Sequence, residues 1–294
     1  MPRKQDTHTR SFGHTCLPKT RPTLEIMSET GTKRKFMSLV VETDIRSVRV
    51  LTLNHASRMN PFSEELEESI KVALARANSD SSVTAIVLSG GADRSFSAGG
   101  DFNEVKMMKG GKEVDRWIDR IIDLYTSVLL VDKPTVAAID GYAIGMGFQF
   151  ALMFDWRQAA TSAEFRMPEL RHGIGCSVGA AILRHAVGYT VMQEIVLACE
   201  SIPAEKAVAY GIANRLSAPG RLMTDAIERA EDLATYPTAP YRATKRTIVE
   251  SMRDVLLKSA DASKRVHKEA FSTRSPHGHF ARVLKESDPI GHAR

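Results

Sequence analysis

Two glycine-rich stretches in this chain expose backbone where chemistry could use it. From Thr135 to Asp155 an apolar, strand-like run passes Gly141, Gly145 and Gly147 and enters Phe148-Gln-Phe-Ala-Leu-Met-Phe154, apolar except for Gln149. This order reads as a buried strand, a loop and a buried helix. Glycine has no Cβ to hold a ligand away, and a helix start adds unpaired N–H donors and partial positive charge. Taken alone, such a turn serves equally well to pack a helix against a sheet. A second stretch, Arg94-Ser-Phe-Ser-Ala-Gly-Gly-Asp-Phe-Asn103, follows the strand-like run Val83 to Ser89 and sets Gly99 and Gly100 beside the Asp101 carboxylate. Facing each other, the two loops would each offer one amide to a single developing oxyanion, as acyl and enolate chemistry requires.

Ser97-Ala-Gly-Gly-Asp101 and Gly141-Tyr-Ala-Ile-Gly-Met-Gly147 resemble the two oxyanion loops of the crotonase (enoyl-CoA hydratase/isomerase) superfamily. The similarity runs from about Met37 to the C-terminus. It implies the α/β crotonase fold, with repeated ββα units forming a spiral core over 37–202 and a C-terminal helical trimerisation region over 203–294. The resemblance assigns the oxyanion donors to the N–H groups of Gly100 and Met146. It puts Ala98, Gly99, Asp101, Phe102, Gly147, Phe148 and Phe150 in the substrate-binding set. Met167-Pro-Glu169 matches the catalytic glutamate of many hydratases in the family, although a proline-turn glutamate is ordinarily just solvent-exposed. The family's second glutamate falls at Gln149. An amide neither takes nor gives a proton, so hydration by paired carboxylates is closed in its usual form. What remains is chemistry on an enolate or tetrahedral oxyanion, with Glu169 as the single base and Gln149 holding a substrate polar group.

Three further motifs, Gly145-Met-Gly-Phe-Gln-Phe150, Met167-Pro-Glu-Leu-Arg-His-Gly-Ile-Gly-Cys-Ser-Val-Gly179 and Asp261-Ala-Ser-Lys-Arg-Val-His-Lys268, resemble the carbon–carbon bond-forming branch of the superfamily in carbapenem antibiotic pathways. That resemblance implies malonyl-CoA and pyrroline-5-carboxylate as substrates, no metal or redox cofactor, and His267 as a contact for the amino-acid carboxylate. Trp117 and Ile118 follow a variable loop, Lys106 to Lys112, that flanks the acyl pocket in the family; they are expected on its wall, though a core helix explains the same spacing. Arg58, Lys245 and Arg246 are candidate contacts for CoA phosphates, with an exposed surface residue as the plainer reading of each. Cys176 has no base beside it in sequence and reads as a small packed residue.

The elements that must carry these residues follow from patterning. Leu39 to Thr43 and Val48 to Leu53 alternate as a hairpin with its turn around Asp44 to Ser47. Ser63 is placed to cap a helix whose apolar face is Leu66, Ile70, Ala73, Leu74 and Ala77. Glu113 to Val131 has helical spacing, and Asp155 to Phe165 reads as one strand. Beyond Pro203 the pattern predicts helices over 204–210, 221–234, 241–253 and 256–271.

A chain of 294 residues with 43% hydrophobic content can bury a substantial core, and its formal charge of +5 suits an anionic ligand such as a CoA nucleotide, a basic tail or weak nucleic-acid binding, among which charge alone does not choose. Cys16, Cys176 and Cys199 are too few and scattered for a disulfide framework or a zinc site. Residues 1–36 mix basic and turn-forming residues without an apolar run, so a disordered basic extension and a cytoplasmic protein are expected. The expected assembly is a homotrimer or a dimer of trimers, with neither nucleic acid nor membrane as partner. The alternative enzyme is an ordinary enoyl-CoA hydratase or isomerase, since isomerisation can run on one carboxylate. The alternative outside catalysis is a crotonase-like RNA-binding protein using its basic N-terminal segment.

Overall fold

In the computed structural model the described residues are 38–272, Phe280 and Leu284, so the expected N-terminal extension lies outside them. β1 (Val40–Ile45) and β2 (Val48–Leu53) form the antiparallel hairpin, turning at Arg46 with φ of 54°. The helix expected next, α1 (Glu64–Ser79), starts where Ser63 accepts a hydrogen bond from the Leu66 N–H at 3.3 Å. Such a cap typically contributes about 1 kcal/mol. All five residues expected on its apolar face are buried. β3 (Ala85–Ser89) leads through the first glycine loop to the short α2 (Phe102–Val105) and the long α3 (Lys112–Leu129). β4 (Thr135–Ile139), β5 (Tyr142–Ile144) and α4 (Met146–Ala151) realise the strand, loop and buried helix.

β6 (Trp156–Ala160) and β7 (Glu164–Arg166) then replace the one strand expected over 155–165. Thr161 and Ser162 make a corner between them, closed by the Ala163 N–H on the Ala160 carbonyl at 3.0 Å. A 3-10 turn at Glu169–His172 precedes α5 (Ser177–Val187) and α6 (Tyr189–Ala198). β8 (Ile202–Pro203), α7 (Ala204–Ala209), β9 (Arg215–Ser217), α8 (Leu222–Ala234) and α9 (Thr238–Ser272) complete the chain. The two last helices expected from the sequence are therefore one. Asp254 and Val255 contain no breaker, and Asp254 pairs with Lys258 one turn on at 3.6 Å. The divide expected between 202 and 203 falls inside β8.

The six-stranded sheet has the order β1-β2-β3-β4-β6-β9, parallel from β2 onward. Its side chains separate by alternation. Val48, Val50, Ala85, Val87, Val136 and Ala138 meet Ala226, Ile227 and Ala230 of α8, while Leu51, Leu53, Ile86, Leu88 and Ile139 enter the main core. A second layer, β5-β7-β8, is continued beyond β5 by the bridges Ser97 to Ala143 and Phe62 to Gly100. The chain thus alternates between layers: β3 then Ser97–Gly100, β4 then β5, β6 then β7. That is the spiral of ββα units, and successive turns set the two glycine loops side by side. Among the described residues no helix is long and apolar enough to cross a membrane.

Candidate active site

Buried hydrogen bonds shape the first loop. Asn60 Nδ2 donates to the carbonyls of Gly90 at 2.9 Å and Ser95 at 2.8 Å. Ser97 Oγ donates to the Asn60 carbonyl at 2.8 Å and accepts from the Gly99 N–H at 3.1 Å. The Phe62 N–H binds the Gly99 carbonyl at 2.7 Å and the Asp101 N–H binds the Phe62 carbonyl at 3.0 Å. Because groups of alternate residues point to opposite sides, the intervening Gly100 N–H faces away from Phe62. Gly99 has φ of +92°, and a Cβ there would lie 2.7 Å from the Ile144 carbonyl oxygen, so only glycine lets the loops approach this closely.

The second loop is zipped to the first. Ser97 donates its N–H to Tyr142 at 2.9 Å and accepts from the Ile144 N–H at 3.0 Å, and the Gly145 N–H is taken by Arg166 at 2.9 Å. α4 begins at the next residue, so the Met146 N–H has no acceptor within the helix. Among the described residues neither the Gly100 nor the Met146 N–H donates to a protein group. Both residues line a cavity of about 360 Å³.

Ala98, Gly99, Phe102, Trp117, Ile118, Gln149, Glu169 and His267 line the same cavity, so most residues singled out in the sequence are brought together. Asp101, Gly147, Phe148 and Phe150 are not on its wall. Asp101 Oδ1 caps α2 through the Asn103 N–H at 2.8 Å. Gly147 lets the loops touch, since a Cβ there would lie 2.5 Å from the Ser97 carbonyl oxygen. Phe148 packs on Phe165, and Phe150 lies among Phe62, Phe96, Tyr125 and Phe154. The short helix is buried on every side, so only part of it can face a ligand.

Glu169 Oε1 accepts from Gln149 Nε2 at 3.0 Å, whereas Oε2 is enclosed with no hydrogen-bond partner among the described residues. Burial pushes this carboxyl up to about 7, against the opposing effects of its own backbone N–H, the nearby Cys176 thiol and the Gln149 amide. Gln149 Oε1 accepts from the Tyr125 hydroxyl at 3.1 Å. The amide thus binds protein on both sides and holds Glu169, while lying on the cavity wall where a substrate polar group was expected to meet it. Gly179 makes room for it, because a Cβ there would come within 2.9 Å of Gln149 Nε2. Cys176 is buried on the cavity wall beside Glu169, and burial pushes its thiol upward, away from nucleophilic character.

His267 Nδ1 lies 2.8 Å from the Ser263 carbonyl oxygen and 3.1 Å from Ser263 Oγ, and its ring stands edge-on to Trp117 at 5.3 Å. Burial lowers its pKa, outweighing the carbonyls of Ser263 and Gly175, so at pH 7 the ring is neutral. Formal positive charge on the wall comes from Arg166, the only lysine or arginine there among the described residues. Sequence reasoning missed Arg166. Alternation along β7, with Phe165 in the core, would have turned it to the opposite face beside Ile144. It also missed His172 and Met59 on the wall and the hydroxyl of Tyr125 behind it. Lys245, a candidate for phosphate, is instead buried, with Nζ 2.7 Å from Asp155 Oδ2 and 2.8 Å from the Lys133 carbonyl oxygen. Arg246 pairs with Asp132 at 3.0 Å, and Arg58 is exposed.

The family model described as enoyl-CoA hydratase/isomerase matches residues 44–283. The chain belongs to the enoyl-CoA hydratase/isomerase family. Carboxymethylproline synthase from Pectobacterium carotovorum subsp. carotovorum is 54% identical over 246 residues, covering 84% of this chain and 98% of that protein. A probable enoyl-CoA hydratase from Rhizobium meliloti is 29% identical over 259 residues, covering 87% of this chain and 99% of its own. Among solved structures, ThnE from S. clavuligerus superposes with a TM-score of 0.65 at 34% identity, over 76% of this chain and 97% of that one. An enoyl-CoA hydratase/isomerase from Mycobacterium paratuberculosis reaches a TM-score of 0.75 at 23% identity, over 85% and 100%, and bears on the fold alone. The spiral and its paired loops are thus those of the enoyl-CoA hydratase/isomerase family, while the 54% relative points to one particular use of them.

Proposed function

We propose that this protein is a carboxymethylproline synthase: it decarboxylates malonyl-CoA, adds the enolate to pyrroline-5-carboxylate and hydrolyses the thioester to (2S,5S)-carboxymethylproline. The observation that carries this reading is Gln149, an amide in hydrogen-bond contact at 3.0 Å with Glu169, the single carboxylate on the cavity wall among the described residues. The 54% relative supports the same reading. In the first step the carbon–carbon bond to the carboxylate breaks, carbon dioxide leaves, and the electron pair becomes a thioester enolate. The N–H groups of Gly100 and Met146 receive its oxygen, each such donor typically giving roughly 10²- to 10³-fold in rate. The enolate carbon then attacks the C=N carbon of the protonated pyrroline, and the π pair passes to nitrogen. No protein nucleophile is required, so this step is mostly positioning. Glu169 finally takes a proton from water as the oxygen adds to the thioester carbonyl. The tetrahedral oxyanion occupies the same two donors, and the departing CoA thiolate receives the proton back. A carboxyl near 7 is suited to both transfers. Arg166 offers a countercharge to a substrate carboxylate, and neutral His267 offers a hydrogen bond.

No metal or redox cofactor enters this scheme. Assembly as a homotrimer or a dimer of trimers and a cytoplasmic location belong to the same proposal. The deciding experiment incubates the purified protein with malonyl-CoA and pyrroline-5-carboxylate and follows carboxymethylproline by mass. Crotonyl-CoA hydration without carboxymethylproline would replace this reading with the hydratase.

A further inference from the structure

Tyr125 takes no part in the scheme above, yet its hydroxyl touches both halves of the machinery. It lies 3.1 Å from Gln149 Oε1 and 3.3 Å from the carbonyl oxygen of Met146, the residue that begins the second loop's helix. One hydroxyl proton therefore faces two acceptors. Gln149 continues the chain to Glu169 Oε1 at 3.0 Å. We propose that Tyr125 is a positioning residue that sets the orientation of the Gln149 amide, and that the chain from the Met146 carbonyl to Glu169 reverses when Glu169 takes a proton. This inference rests on the reading of Glu169 as the base.

With Glu169 ionised, the phenol donates to Gln149 Oε1 and the Gln149 NH₂ donates to the carboxylate. Once protonated, Glu169 has an O–H to place; Oε2 is enclosed with no partner among the described residues, so the O–H is paired only if it points to Gln149. Turning the amide by half a rotation gives Oε1 to Glu169 and the NH₂ to the phenol oxygen, and the phenol proton moves to the Met146 carbonyl. Only the proton on Glu169 is gained, and each link stays paired in both states. Tyr125 is completely buried, and burial holds its hydroxyl protonated at any working pH, as the relay demands. An unpaired polar group in such a place is costly, so a chain paired in both directions removes a penalty from one half of the proton cycle. Cys176, His172, Arg166 and His267 are the titratable or charged groups sharing the cavity with Glu169, and Glu67 of α1, bound to Arg120, lies behind Tyr125.

The test is Tyr125→Phe in the full chain, which removes the hydroxyl and leaves the ring. The expected result is an unchanged KM for malonyl-CoA, a kcat for free product lower by roughly tenfold, and an acidic limb of the pH–rate profile moved to higher pH. The limb moves because the phenol holds the amide in both states, but the charge-assisted bond to ionised Glu169 loses more than the neutral one when that hold is removed. An unmoved limb with kcat unchanged, or lost stability alone, overturns the inference. Glu169→Ala separates the two layers: if it releases product at the parent rate, the reading of the base has failed, whatever Tyr125→Phe does. Should the phenylalanine variant not fold, ¹⁵N resonances of the Gln149 side-chain amide in the parent protein decide. They should titrate together with Glu169, and resonances independent of pH between 5.5 and 8.5 refute the reversal.

Discussion

Replacing Glu169 by glutamine should stabilise the protein in alkali while stopping release of the free acid. The Glu169 carboxyl moves from 4.5 to about 7 on folding, chiefly because it is enclosed. At about 1.4 kcal/mol per pKa unit, ionising it in place costs about 3 kcal/mol. The sign follows from proton binding. Between the two values the folded chain holds a proton that the unfolded chain has released, so stability falls as pH rises through this window, and the loss is complete above the folded value. Glutamine does not titrate, and its carbonyl oxygen can still accept from Gln149 Nε2. Urea unfolding of Glu169→Gln and the parent, at one protein concentration, should give nearly equal stabilities below pH 4.5 and a variant more stable by about 3 kcal/mol at pH 8.5. Groups titrating alike in both proteins cancel in the difference. A difference that does not change between these pH values would refute the enclosed, strained carboxylate from which the base assignment follows.

Three other substitutions probe separate parts of the site. Met146→Pro removes one oxyanion donor at a helix position that tolerates proline, so decarboxylation measured as carbon dioxide release should fall by roughly 10²- to 10³-fold, while Met146→Ala keeps substantial activity. Gln149→Glu sets two carboxylates in contact where an amide now binds Glu169 at 3.0 Å. One of them must hold a proton, so carboxymethylproline formation should fall and its pH optimum rise, with trace crotonyl-CoA hydration as the second readout. Lys245→Ala removes the cation from Asp155, which keeps the Thr135 N–H and hydroxyl and the Tyr241 hydroxyl as donors, and a chemical denaturation series should show a loss of about 1.5–3 kcal/mol. KM for malonyl-CoA should not change, in contrast to what a phosphate contact would give.

The parts of this fold legible in the sequence are those fixed by short-range pattern. α1 follows from its cap and its spacing, the hairpin from alternation, and the two loops from glycines at places where a Cβ would collide with the opposite backbone. What pattern could not supply was direction. Phe148 and Phe150 stand in the same helix as Gln149, yet a helix of six residues buried all round gives no periodic signal of which side meets the ligand. The corner at Thr161 and Ser162 was equally hidden, because a strand that changes sheets keeps its alternation on both sides of the bend. Lys245 looked like a surface cation because nothing local records Asp155, ninety positions earlier in the chain, as its partner.

The exchange of a glutamate for Gln149 gains its meaning from these longer-range contacts. A glutamine facing solvent would simply delete one proton carrier from a hydratase. Here the amide is anchored by Tyr125 on one side and spends its NH₂ on Glu169 on the other. Its effect is to favour the ionised form of a carboxyl that burial drives the opposite way, and the balance lies near neutrality. A second carboxylate in its place would add repulsion to burial and leave the base protonated at neutral pH. In the proposed reaction one residue therefore both closes the paired-acid route to hydration and keeps the remaining carboxyl available as a base, the combination that the proposed thioester hydrolysis after carbon–carbon bond formation requires.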